Sequence, residues 1–178
     1  MADDNILFGT YLLSLLNGKT TFVNIASWTS YNEYGEYAPH NFYSLTKGLF
    51  EKIALSTYKN TISIRMPDTY GPNDERDKIY NLIRKGIVTN LNSPANQEIN
   101  MIHNEDVCGS LIYIINKKFN QNIFDLYYKE NIITLEELAN YLGKNVTFGD
   151  KEVIPLVKNN YPVQGYKTIK NLKDIGDV

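Results

Sequence analysis

Two short runs, Thr21-Phe-Val-Asn-Ile-Ala26 and Thr61-Ile-Ser-Ile-Arg65, bracket a single long helical pattern, and this arrangement constrains the fold more than any other feature of the chain. The first run is β-branched and mostly apolar, as expected of a strand buried on both faces in a parallel sheet. A polar, tyrosine-rich loop leads from it to His40, and Asn41-Phe-Tyr-Ser-Leu-Thr-Lys-Gly-Leu-Phe-Glu-Lys-Ile-Ala54 opens a helix that runs to about Tyr58. Ahead of the first run, Ile6, Leu7, Tyr11, Leu12, Leu15 and Leu16 recur at helical spacing from an Asp3 or Asp4 cap until Asn17-Gly18. Helix, strand, long loop, helix, strand is half of a doubly wound α/β layer. The two strands are therefore predicted to be adjacent and parallel, with the helix over 41–58 crossing between them in the right-handed sense.

Beyond Pro67 the pattern changes to smaller elements. A turn at Tyr70-Gly-Pro-Asn73 precedes a helix predicted from about Asp74 to Lys85. Extended pieces follow around Val88–Leu91 and Glu98–Ile102, and then a helix from about Glu105 to Asn116. Ile123–Tyr128 reads as a further strand, and Thr134-Leu-Glu-Glu137 is a capping box that opens a helix to Leu142. Val153, Ile154 and Leu156 suggest a short edge strand, and Ile169–Ile175 a helical turn. The expected division is residues 1–67 as one half of a parallel α/β domain and residues 68–178 as a smaller α/β lobe.

Composition narrows the partners. A formal net charge of −2 and dispersed lysines give no footprint for a polyanion, so nucleic acid is not expected. The single Cys108 excludes an internal disulfide and offers no metal cluster, which fits a reducing compartment. Asp3 and Asp4 stand where a signal peptide needs positive charge, and no apolar run approaches the ~20 residues of a membrane span. The chain reads as cytoplasmic, with no membrane partner.

Tyr43 and Lys47 lie four residues apart, but the spacing alone is weak. With 14 Tyr and 18 Lys+Arg, about one such match is expected by accident. Tyr113/Lys117 and Tyr166/Lys170 repeat the spacing and read as helix-surface or packing pairs.

Context separates the first pair from the others. FVNIASWTSY, FYSLTKGLFEKIA, SIRMPDTYGPNDER and INMIHNEDVCGSLIYI follow one another in an order that resembles the extended short-chain dehydrogenase/reductases, the NAD-dependent epimerase/dehydratase family of nucleotide-sugar enzymes. The resemblance runs from about Asn5 to Phe148 and leans toward enzymes of deoxysugar biosynthesis. It implies a C-terminal part of a Rossmann-like doubly wound parallel sheet plus a small α/β substrate lobe. It also implies that Tyr43 is the catalytic acid/base, with Lys47 favouring its phenolate and bonding the nicotinamide ribose. A free phenol titrates at about 10, too high to act as a base at neutral pH, and a cation one helical turn away corrects this. By the same resemblance Ser27 positions the sugar oxygen, with Thr29 as the neighbouring alternative. Met66 and Pro67 face the nicotinamide through their backbone, and Asp68 lies at the sugar. His103 reads as a strand-end residue rather than a base, and Asp106 as a structural carboxylate at a helix start. Trp28, Tyr31, Tyr34 and Tyr37 either stack on a sugar or base or simply pack against the lobe below their loop.

One element of the resemblance is missing. The family holds NAD or NADP through a glycine-rich turn, whereas the closest glycines here, Gly143 and Gly149, are too far apart for that spacing. The expectation is an N-terminally truncated member that does not bind the dinucleotide alone and is inactive in isolation. Glu98-Ile99-Asn100 also stands where the family commonly carries a phosphate-binding arginine. Three readings remain open: part of a nucleotide-sugar epimerase, dehydratase or 4-keto reductase; a split enzyme whose partner chain supplies the glycine-rich half; or a non-catalytic remnant. A sheet of two parallel strands would expose an edge that favours a partner chain or homo-oligomer.

Overall fold

The computed structural model describes residues 2–72 and 74–170. A π-helical turn over Asp3–Leu7 leads into α1 (Phe8–Leu15), followed by β1 (Phe22–Ser27), α2 (Phe42–Thr57) and β2 (Thr61–Met66). Next come β3 (Asp68–Tyr70), α3 (Ile79–Arg84), β4 (Asn90–Leu91), β5 (Glu98–His103) and α4 (Asn104–Lys117). The remaining elements are β6 (Ile123–Asp125), β7 (Ile132–Thr134), α5 (Leu135–Tyr141) and β8 (Thr147–Phe148). Among the described residues no helix is long and apolar enough to cross a membrane.

The chain forms two compact units. The first gathers the chain up to Pro67 together with Ile114–Leu126 and Val157–Gln164. Its parallel sheet has the order β1-β2-β6, with Phe22 opposite Thr61, Ser27 opposite Met66 and Arg65 opposite Asp125. The adjacent parallel strands predicted from the two apolar runs are thus present. The sheet has three strands rather than the expected two, because β6 pairs with β2. The strand expected over 123–128 in the smaller lobe is shorter and belongs to this sheet, since periodicity marks a strand without naming its neighbour. The far edge of β6 carries a bridge from Asp125 to Pro162, whereas no described strand pairs with the outer edge of β1.

The helices of this unit dock through Leu13, Phe50 and Ala54, with Ile6, Leu16, Phe22 and Tyr58 packed around them. A Cβ on Gly9 would fall 2.4 Å from the Phe50 ring, so the approach of α1 to α2 depends on the missing side chain. Asn41 fixes the start of α2: its Oδ1 accepts from Ser44 N at 2.8 Å while Ser44 Oγ accepts from Asn41 N at 3.1 Å. With the start fixed, Tyr43, Lys47 and Glu51 fall at successive turns of one helix face.

The second unit comprises Asp68–Tyr113, Tyr127–Leu156 and the chain from Gly165. In it β5 pairs parallel with β3 and antiparallel with β7, while β4 and β8 form a small separate ladder. Tyr70, Tyr80, Ile83, Met101, Ile133 and Leu138 form its buried core. The predicted box opens α5, with Glu137 N donating to Thr134 Oγ1 at 3.1 Å and Thr134 N to Glu137 Oε2 at 2.8 Å. α3 is shorter than predicted because Asp74 is used in a turn, where its carboxylate accepts from Arg76 N and Nε at 3.2 and 2.8 Å. The strand expected around Val153–Leu156 does not form. Ile154 instead pairs with the Gln97 side chain, donating to Oε1 at 2.7 Å and accepting from Nε2 at 2.8 Å. The helical turn expected over 169–175 lies, beyond Lys170, outside the described residues.

Candidate active site

β1 ends at Ser27, directly opposite Met66, the last residue of β2 and the neighbour of Pro67. A 3-10 turn over Trp28–Ser30 begins there, and Ser27 Oγ accepts from Thr29 N at 3.3 Å. The Ser27 and Thr29 hydroxyls are 2.9 Å apart, so the two alternatives read from sequence form one hydroxyl pair at the strand end.

The ammonium of Lys47 reaches the same strand and donates to the carbonyl of Ile25, two residues before Ser27. It is half-buried, and that burial pulls its pKa below the ordinary lysine value while the charge of Glu51 pushes it back up. Tyr43, one turn earlier on α2, is 45% exposed, and among the described residues nothing hydrogen-bonds to its hydroxyl. A cation at the strand end thus stands one helical turn from an accessible phenol.

Glu51, the next residue in that row, was missed as a site residue. It is fully buried. Its Oε1 accepts from Arg65 Nε at 2.9 Å and its Oε2 from the Tyr31 hydroxyl at 2.5 Å. The Arg65 guanidinium lies 3.7 Å over the Tyr31 ring and 3.9 Å from Asp125 Oδ1. Asp125 Oδ2 in turn accepts from the main-chain N–H groups of Asn160 and Tyr161, each at 3.0 Å. Burial, together with the carboxylate of Glu51, raises the Tyr31 pKa far above the ordinary phenol value, so this tyrosine is a fixed donor and not a base. The available sequence signal was the four-residue step from Lys47 to a glutamate on a helix face otherwise expected to be apolar.

The aromatic loop is largely committed to packing. Tyr37 meets Tyr31 edge-on with ring centroids 6.1 Å apart and lies under the Lys52 ammonium at 3.6 Å, whereas Tyr34 is exposed. In the second unit, Asp68 opens β3 and its carboxylate accepts from Lys78 Nζ at 3.2 Å. His103 ends β5, where its Nδ1 accepts from Glu105 N at 3.2 Å and its ring meets Tyr70 edge-on at 5.2 Å. Asp106 is fully buried and does more than open α4: its oxygens accept from Ile169 N at 2.7 Å, Lys170 N at 3.0 Å and the Tyr166 hydroxyl at 3.3 Å. Tyr113 and Tyr166, the tyrosines of the rival pairs, meet at a tilt of 60° with ring centroids 5.7 Å apart.

The fit to a dinucleotide is one-sided. The open Tyr43 hydroxyl and the Lys47 ammonium suit a ribose hydroxyl at the nicotinamide end. Among the described residues, however, no strand enters a helix through a glycine-rich turn that could hold a pyrophosphate: β5 runs straight into α4 at Asn104, and β7 into α5 at the Thr134 cap.

No protein-family model matches the sequence, and no curated protein matches it. Solved structures do. A dTDP-glucose 4,6-dehydratase from Bacillus anthracis, in complex with NAD, superposes with a TM-score of 0.77 at 18% identity, over 98% of this chain and 67% of that one. A UDP-glucuronic acid 4-epimerase from Bacillus cereus, in complex with UDP-glucuronic acid and NAD, gives 0.72 at 18% identity, over 96% and 64%. The L-threonine 3-dehydrogenase of Trypanosoma brucei gives 0.74 at 12% identity, over 98% and 66%. The chain thus spans about two thirds of the length of the structures it matches. At these identities the likeness speaks for architecture, and the threonine dehydrogenase shows that one architecture serves different substrates. The parallel β1-β2-β6 layer, with α2 between β1 and β2, has the Rossmann-like fold of these structures.

Proposed function

We propose that this chain is the substrate-side part of an NAD(P)-dependent epimerase, dehydratase or 4-keto reductase acting on nucleotide sugars in the cytoplasm. The observation that carries the reading is the Lys47 ammonium held at the end of β1, two residues from the Ser27/Thr29 hydroxyl pair, with an accessible Tyr43 hydroxyl one helical turn away. In this reading Tyr43 takes the proton from a sugar hydroxyl, or returns it, with the Lys47 charge one helical turn away. The Ser27 and Thr29 hydroxyls hold the reacting oxygen. Met66 and Pro67 would face the nicotinamide through their main chain, and Asp68 meets the sugar. NAD or NADP, when bound, accepts or returns the hydride; Lys47 and Tyr43 would hold its nicotinamide ribose. We assign residues up to 67 to the cofactor side and the lobe from 68 onward to the sugar.

A second reading has its own support. The outer edge of β1 is unpaired among the described residues, and the chain spans about two thirds of the structures it matches. A partner polypeptide carrying the glycine-rich half would pair there and complete the dinucleotide site. The test is turnover of NDP-hexoses and NDP-4-keto sugars with NAD or NADP, by the full-length gene product and by this chain mixed with such a polypeptide. Tyr43→Phe removes the proton-transfer group and keeps the ring, so kcat should fall by about 10²–10⁴-fold with stability unchanged. Full turnover by Tyr43→Phe would remove Tyr43 as the proton-transfer group, and no turnover in either preparation would leave only the non-catalytic remnant.

A further inference from the structure

The network beneath the proposed site holds more negative than positive charge. Glu51 and Asp125 are carboxylates, and among the described residues Arg65 is the one cation paired with both. Lys47 lies one turn from Glu51 on the same helix face, and the charge of Glu51 acts on it. An ordinary lysine and glutamate at this spacing on a helix surface swing freely and contribute little. Here the carboxylate cannot swing, because one oxygen is taken by the Arg65 guanidinium and the other by the Tyr31 hydroxyl, and the side chain is wholly buried.

The lysine is equally constrained. Phe22 N donates across to Asn60 O at 2.9 Å, on the side of β2. Because main-chain groups alternate sides along a strand, the carbonyls of Val23, Ile25 and Ser27 point toward the open edge. Lys47 therefore caps an outward carbonyl with one N–H and keeps two donors for a ligand.

We propose that Glu51 is a positioning residue for the Tyr43/Lys47 pair: its buried carboxylate, clamped by Tyr31 and Arg65, keeps the Lys47 ammonium charged at the end of β1. The role of Lys47 itself rests on the proposed function. Burial alone works against the charged lysine, and Glu51 is the opposing group. The charged and titratable groups facing this network are Tyr43, Lys47 and Glu51 on α2, Arg65 on β2, Asp125 on β6, and Tyr31 and Tyr161 on the flanking loops. A neutral Lys47 would still fill its space but would no longer place a positive charge one helical turn from Tyr43.

The test reads Lys47 directly and does not depend on turnover, so its failure is separable from failure of the enzyme reading. The protein is reductively methylated with 13C, the Lys47 resonance is assigned by its loss in Lys47→Arg, and its midpoint is followed with pH. Glu51→Gln keeps the shape and removes the charge, and should shift the Lys47 midpoint to lower pH. Tyr31→Phe, a milder change that leaves the Glu51 charge in place with one donor fewer, should leave that midpoint at or above its parent value. It serves as the test if the glutamine variant does not fold. An unmoved Lys47 midpoint in folded Glu51→Gln, or a fall in Tyr31→Phe, would overturn the proposal.

Discussion

The two units each bury a carboxylate completely, and they satisfy it in opposite ways. In the first, Glu51 is met by side chains alone: the Arg65 guanidinium from β2 and the Tyr31 hydroxyl from the loop after β1. In the second, Asp106 is met by the N–H groups of Ile169 and Lys170 and by the Tyr166 hydroxyl, all from one short stretch of chain. A side-chain network ties elements far apart in sequence to one another and places fixed charge beside Lys47. A carboxylate receiving main-chain N–H groups fixes the path of a segment. The difference teaches that full burial of an acid marks a constraint, and that the donors decide whether the constraint falls on chemistry or on chain course.

Breaking the charged network should have the largest effect. Arg65→Met leaves Glu51 buried without its cation and should destabilise by about 3–5 kcal/mol in urea unfolding. Replacing Glu51 and Arg65 together by Met should recover part of that loss, since Glu51 is then removed with its cation while Asp125 keeps its main-chain donors. A double variant no more stable than the single one would show that the network contributes packing rather than paired charge. Asp106→Ala should cost less, about 2 kcal/mol, and should expose the stretch from Gly165 to Lys170 to proteases, a local signature that Arg65→Met need not share. Thr134→Ala removes one half of the α5 capping box and should cost about 1 kcal/mol, read as a small loss in the same urea assay.

The smallest effect is on pH dependence. Burial pushes the Asp125 carboxyl above its ordinary value, against the opposing main-chain N–H groups of Tyr161 and Asn160 and the charge of Arg65. A folded state that holds its proton longer than the unfolded chain is stabilised below the ordinary value and loses that contribution as pH rises through the folded one. Wild type should therefore gain stability relative to Asp125→Asn as the pH is lowered from about 7 to about 4. A difference that stays constant over that range would remove Asp125 from the titrating part of the network.

Much of the first unit was legible in the sequence because its signals are local. The runs at 21–26 and 61–65 lie within a residue of β1 and β2, and Asn41 with Ser44 announces the start of α2. The second unit was read less well. β3, β7 and β8 are two or three residues long, too short to carry a period, and α3 lost its expected first turn to the Asp74/Arg76 contact. The paired hydroxyls of Ser27 and Thr29 were visible only as alternatives, because the cap of a 3-10 turn and a residue within it converge in space while remaining separate letters.

The sequence by itself determined the strand-helix-strand unit, the helix caps and the four-residue step from Tyr43 to Lys47, since spacing along a helix is fixed by covalent geometry. Tertiary structure alone decided that Ile123–Asp125 completes the parallel sheet, that the Lys47 ammonium ends on the Ile25 carbonyl, and that Glu51 faces Arg65 and Tyr31. Each of these joins residues 14 or more positions apart. Which distant groups meet depends on how buried charge and main-chain polar groups find partners once the layers pack, and no local pattern records that.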